Sequence, residues 1–239
     1  MEQDSRLGEG SSAEGGGGAA SGEGGGEAAS GEGPSAVPGT RRPGGRTAKV
    51  RRAVLDATQE TLAASGFHTL NMDRIAASAG VGKTTVYRRW GSPVGLVADL
   101  LDDMAEQSLR AADTGGLAGD LRANAALVLE TLTDPRMGAV FRAVIAAAAC
   151  DEECARALGG FYRTRLAEWA PVGERAVARG ELPAGTDPLE LLRAVSAPLY
   201  YRFVVTHEEP TPADAERAVT AALAAAAAGA FVPGAADAR

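Results

Sequence analysis

Between Asn71 and Trp90 the chain runs NMDRIAASAGVGKTTVYRRW, and this stretch leaves few folds open. Asn71 is a good helix N-cap, and MDRIAASA then sets Met72, Ile75, Ala76 and Ala79 on one apolar face. Gly80-Val81-Gly82 interrupts the pattern. A glycine just past a helix takes positive φ freely, and Gly82 can cap the next helix. That second helix, Lys83 to Trp90, puts Val86 and Trp90 on one side at spacing i, i+4. Its other sides carry Lys83, Thr84, Thr85, Tyr87, Arg88 and Arg89, a surface suited to a polar, anionic partner. Two short helices with a glycine-bearing turn of this length make the helix-turn-helix pattern that reads DNA.

Two other readings compete for the same residues. Gly80 to Thr85, GVGKTT, echoes the phosphate loop G-x-x-x-x-G-K-[ST] of a nucleotide hydrolase. The first glycine of that loop falls at Ala77, and the loop needs a strand before it where this chain has a helical pattern. The other is a helical hairpin in a core with its charges solvated.

Charge separates along the chain. Residues 1–40 carry net −6, residues 41–90 net +7, and residues 91–239 net −8. A basic segment inside an acidic protein is the electrostatic footprint of a polyanion site, and the acidic remainder favours docking by one face. Residues 1–40 are mostly Gly, Ser, Ala and Glu and are expected to be disordered, because they cannot bury enough surface to offset chain entropy. Arg41 to Arg46 is expected to be a mobile basic arm, able to reach a narrow minor groove.

The rest reads as helices set off by cap chemistry. Thr47 to Ser65 has Val54, Thr58, Thr61 and Leu62 as its stripe, and Phe67 and Leu70 plug a small core; His68 reads as structural or solvated. Ser92-Pro93 starts a fourth helix running to about Ala111. Further starts stand near residue 119 and at Asp134-Pro135, Asp151, Asp187-Pro188 and Thr211-Pro212. The helix from Asp151 runs to just before Gly180, with Pro171 and Pro198 expected to kink the helices they interrupt. No alternating strand pattern occurs, so the expected fold is all-α with about nine helices. The expected domains are a tail over 1–40, a helix-turn-helix domain over 41–91, a helical regulatory domain over 92–232, and a disordered tail over 233–239.

Residues 46–100 resemble the N-terminal domain of tetracycline-repressor (TetR/AcrR-like) regulators. Ala79, Gly80, Val81, Lys83, Thr85, Tyr87 and Trp90 match the family's A-G-V-x-K-x-T-x-Y-x-x-W/F core. Two residues depart from it: Gly82 where the family usually has Ser, and Thr84 where it often has Gly. The resemblance implies a DNA-binding regulator and not an enzyme, with no catalytic residues, cofactor or metal. Asn71, Lys83, Tyr87 and the arm residues Arg42 and Arg46 would hold phosphates. Thr84, Thr85 and Arg88 would meet base edges. It further implies a cavity for a small-molecule effector, for which Phe141, Cys150, Tyr162 and Trp169 are the candidates. It implies a homodimer through the last two helices, on a roughly palindromic operator. The alternative is a constitutive DNA-binding protein with a solid C-terminal core.

Cys150 and Cys154, one helical turn apart, are badly placed for a disulfide, and only His68 and His207 exist to complete a metal site. With two cysteines, no leader pattern and no bilayer-length apolar run, the expected compartment is a reducing cytoplasm and no membrane contact is expected. Deleting residues 1–40 is expected to leave the melting temperature unchanged. A large drop by calorimetry would show that this segment is part of the fold.

Overall fold

Six helices of this protein start at side chains that accept the first backbone N–H groups. The computed structural model describes residues 44–107 and 110–234. The expected tail over 1–40, Arg42, and the end of the tail from 235 lie outside the described residues. Ten α-helices and no strand occur among the described residues. The first four are α1 (Gly44–Ser65), α2 (Met72–Ser78), α3 (Lys83–Trp90) and α4 (Pro93–Glu106). They are followed by α5 (Leu117–Thr133), α6 (Pro135–Ala148), α7 (Glu152–Trp169), α8 (Pro171–Ala178), α9 (Pro188–Tyr200) and α10 (Pro212–Ala227). Asn71, Ser92, Asp134, Asp151, Asp187 and Thr211 each cap the helix directly after them, and Thr211 closes a reciprocal capping box with Asp214.

Four features differ from the sequence expectations. First, α1 begins at Gly44, so Arg46 lies on its exposed first turn and not in a mobile arm. Nothing after Pro43 forbids helix, and the first N–H groups of a helix need no intrahelical partner. Second, α4 stops at Glu106 and does not reach Ala111. Third, the long helix expected from Asp151 is two, because Pro171 ends α7 and becomes the N1 residue of α8. This accounts for the tenth helix. Fourth, Pro198 is followed by a π-helical turn over Tyr201–Thr206, where the backbone re-pairs after the missing proline N–H. His207, at φ 54°, then ends the helix in the left-handed region.

One apolar core runs from Val54 and Leu55 through Leu96, Leu100, Phe141 and Leu191 to Ala226. The helix-turn-helix segment and the C-terminal helices therefore share packing: α1 lies against α6, and α4 against α7. Neither α2 nor α3 is long enough to persist alone. Burial of Ile75, Val86 and Trp90 holds them, each such side chain contributing roughly 2 kcal/mol.

A polar hub fixes their angle. Asp99 on α4 accepts from Arg51 of α1 (Nε at 2.9 Å, Nη2 at 2.7 Å) and from the Trp90 indole N–H of α3 (2.8 Å). Arg51 also reaches Asp103 at 2.7 Å, and Arg52 and Gln107 donate to the same carboxylate. Burial alone would raise the Asp99 carboxyl; the Arg51 and Trp90 hydrogen bonds outweigh it and hold the group below its ordinary range. Beside the hub, an added Cβ on Gly95 would stand 2.0 Å from the Trp90 carbonyl oxygen, so only glycine lets α3 close onto α4 there.

Asp99→Ala leaves Arg51 with Asp103 as its remaining close partner and strands the Trp90 N–H, and is expected to cost about 2 kcal/mol in denaturant unfolding. Because the folded-state pKa is depressed, the Asp99 contribution is full above the unfolded carboxylate range and is lost as pH falls through the folded value. Asp99→Asn is therefore expected to flatten the stability loss below about pH 4. An unchanged acid limb would mean that Asp99 does not govern the acid sensitivity.

Candidate nucleic-acid interface and ligand cavity

Local chemistry sets the two helices of the motif. Asn71 Oδ1 accepts from the amides of Asp73 (2.9 Å) and Arg74 (3.2 Å), starting α2. Gly80 takes φ 64°, turning the chain where a side chain would be strained. Gly82 is the N-cap of α3 and makes no side-chain cap, so the first amides of α3 are uncapped. The nearest atom to a Cβ at Gly82 is the Thr85 hydroxyl at 4.0 Å, so the serine usual in the family would fit.

The structure places Lys83, Thr84, Tyr87, Arg88 and Arg89 outward on α3, with Tyr87 48% exposed and Thr85 half-buried. Val86 and Trp90 point into the core. Arg46, Lys49 and Arg74 are exposed on α1 and α2. Two of the cationic residues already have partners. Lys83 Nζ lies 2.6 Å from Asp73 Oδ2, and this hydrogen bond lowers the Asp73 carboxyl and raises the Lys83 ammonium. The Arg89 guanidinium stacks over the Trp90 ring at 5.0 Å. Arg88 and Thr84 stand on the outer face without a hydrogen bond among the described residues. GVGKTT joins one helix to another, which is not the strand-to-helix setting of a phosphate loop.

In the C-terminal helices a cavity of about 90 Å³ lies among α5, α6, α7 and α9. Phe141, Tyr162 and Trp169, three of the four candidates, line it. Cys150 does not: α6 ends at Ala148, and the following turn carries Cys150 to the exposed surface. Cys154, inside α7, is buried, and burial pushes its thiol up to about 11. A chain of aromatic rings follows the cavity wall, from Phe141 to Phe161 (5.5 Å), Tyr162 (5.3 Å) and Tyr200 (5.6 Å). Burial pushes the phenols of Tyr162 and Tyr200 up, so both stay protonated. The Trp169 indole N–H is buried without a hydrogen-bond partner, and the buried Tyr162 hydroxyl faces Tyr200. A second cleft of about 320 Å³ adjoins, sharing Leu127, Thr131, Phe141, Phe161 and Arg165 and reaching Arg52 and Asp103 beside the hub. Arg165 was missed in the sequence because nothing distinguishes it from the solvated arginines of the same helix.

An all-helical chain with a helix-turn-helix whose second helix faces solvent, followed by a hollow helical body, defines a DNA-binding transcriptional regulator. Residues 54–100 match the family described as "Bacterial regulatory proteins, tetR family", and residues 111–222 match "Tetracyclin repressor-like, C-terminal domain". The DNA-binding transcriptional repressor TetR of Mycobacteroides abscessus is 34% identical over 142 residues, covering 56% of this chain and 70% of that one. The uncharacterized HTH-type transcriptional regulator YdeS of Bacillus subtilis is 28% identical over 171 residues, covering 71% and 86%. The solved TetR family transcription regulator SCO0332 superposes with a TM-score of 0.61 at 28% identity, over 74% of this chain and 97% of that one. The SmeT–triclosan complex shares the fold with a TM-score of 0.59 at 23% identity, over 77% and 95%. The chain belongs to the TetR family of transcriptional regulators.

Asp73→Asn frees Lys83 and is expected to tighten binding to any duplex and to steepen the log–log salt slope by about one. An unchanged slope in fluorescence anisotropy would mean that Lys83 does not meet a phosphate.

Proposed function

We propose that this regulator is a dimeric repressor that leaves a two-fold symmetric operator when a small molecule fills the cavity among α5, α6, α7 and α9. The observation that carries the reading is the split of α3: Val86 and Trp90 are locked inside, and Thr84, Tyr87 and Arg88 stand outside. In this reading Asn71, Lys83, Tyr87, Arg42 and Arg46 fix the register on phosphates. Thr84, Thr85 and Arg88 meet base edges, where threonine can touch a thymine methyl and arginine can pair with guanine. The reading head extends to Gly91 and the regulatory body begins at Ser92, with tails before and after.

A dimer through the last helices is supported by large apolar side chains left in solvent on the turn after α9, Tyr201 at 59% and Val205 at 60% exposure. The alanines of α10 allow a second copy to approach closely. Among the described residues no helix is long and apolar enough to cross a membrane, and a duplex target with two free thiols fits work in the cytoplasm. The cavity and the unpaired Trp169 donor favour ligand control over a constitutive DNA-binding protein.

Selection of bound fragments from the source genome is expected to return a sequence with two-fold symmetry. On that site Tyr87→Ala should weaken all sequences about equally, while Thr84→Gly should change base preference more than affinity. If the protein retains no fragment in dilute salt, the reading fails. If Thr84→Gly leaves the preference unaltered, Thr84 is not part of the readout.

A further inference from the structure

The cavity wall carries a pattern of donors and charge that narrows what can occupy it. Two hydroxyls of the wall are already committed: Thr131 Oγ1 donates to the Leu127 carbonyl at 2.8 Å, and Ser196 Oγ to the Leu192 carbonyl at 3.1 Å. The Trp169 N–H, in contrast, is buried and unpaired. An indole N–H can only donate, so the group that satisfies Trp169 must be an acceptor. No carboxylate lines the inner cavity, and the charged residue there is Arg165, whose side chain is 17% exposed and also lines the outer cleft. In the outer cleft the one carboxylate, Asp103, is held by Arg51, Arg52 and Gln107. A cation would meet Arg165 and Arg52 with no free anion to pair with.

We infer that the cavity takes a flat aromatic acid, its ring against Phe141, Phe161 and Tyr162 and its carboxylate within reach of Arg165 and the Trp169 N–H. This rests on the effector reading above. The Arg165 guanidinium now pairs with Glu168 at 2.6 Å, one turn along the same helix and 36% exposed at its side chain. A pair that open to water is weak, so a ligand carboxylate exchanges for it at little cost. The inner space of about 90 Å³ is smaller than the roughly 150 Å³ apolar cavity known to hold benzene, so the ligand spans into the adjoining cleft of about 320 Å³.

The test is calorimetric titration of the full chain with 2-naphthoate, its neutral analogue 2-naphthalenemethanol and its cationic analogue 2-naphthylmethylammonium. The naphthoate is expected to bind about tenfold or more tighter than the alcohol, a gap of one charge-assisted hydrogen bond, and the cation not at all. Arg165→Met should abolish the preference for the acid while leaving the alcohol unchanged. Glu168→Gln, which frees Arg165, should tighten the acid several-fold. Trp169→Phe removes that donor together with part of a buried ring, so it should lower the melting temperature somewhat while weakening naphthoate about tenfold. Equal or tighter binding of the cation, an Arg165→Met protein that still prefers the acid, or no binding of any of the three at millimolar concentration overturns the inference. Release of operator DNA is read separately by anisotropy: naphthoate that binds without loosening DNA would sink the effector reading and leave the ligand chemistry standing.

Discussion

The Asp99 carboxylate governs how this protein presents its reading helix. It joins a guanidinium from α1 and an indole from α3 on a single residue of α4. Apolar burial of Val86 and Trp90 would hold α3 against the core, yet burial has no direction and would tolerate rotation. The hydrogen bond from the Trp90 N–H removes that freedom. With Trp90 fixed, the helix period turns Lys83, Thr84, Tyr87 and Arg88 outward. The hub also changes how the net charge of the segment should be understood. Arg51 and Arg52 are bound by Asp99 and Asp103, and Lys83 by Asp73. Among the described residues the basic footprint is then narrower than the sequence charge suggests, and lies on Arg46, Lys49, Arg74, Arg88 and Arg89 before any partner is exchanged.

The same hub stands at the end of the cavity. Arg52 and Asp103 line the outer cleft, and Arg165, Phe141 and Phe161 are common to both spaces. Physical contact of this kind permits coupling and does not by itself supply it. What a ligand can do is set by its differential affinity for two arrangements of these helices. A coupling of about 1–3 kcal/mol suffices for a roughly 5- to 150-fold change in DNA affinity. Loss of one of the hydrogen bonds at Asp103 or Asp99 is of that size, about 1.5–3 kcal/mol for a charged partner. A ligand that presses the outer cleft therefore need disturb only one of them.

Local signals carried most of the fold. Asn71, Ser92, Asp134, Asp187 and Thr211 announce their helices because a capping side chain acts within three residues of itself. The outward residues of α3 were legible for the same reason, since a helix period is a local property. What sequence missed is long-range or depends on competition. Whether Pro171 kinks a helix or starts a new one depends on where the next turn packs. Asp99, Asp73 and Arg165 look like ordinary surface charges until the chain folds and brings Arg51, Lys83 and the aromatic wall beside them. Cys150 failed as a pocket residue because α6 ends two residues before it. Gly95 gave no hint of the Trp90 carbonyl that forbids it a side chain.

The unpaired Trp169 N–H gives the cavity an energetic asymmetry as well as a chemistry. A buried donor without a partner costs the free protein about 1–3 kcal/mol. A body that packs Val140, Val144 and Leu191 to complete burial does not lack apolar solutions. The cost is recovered when an acceptor enters, and it adds to whatever the rings gain by contact. It is also of the same magnitude as the coupling needed to move a regulator between its DNA-bound and released states. A closed arrangement of these helices that hid the donor from an acceptor would forfeit that gain, whereas an arrangement with the cavity open would keep it. In the proposed reading, a ligand's preference between two states could thus arise from a single hydrogen bond, without any large movement at the cavity itself.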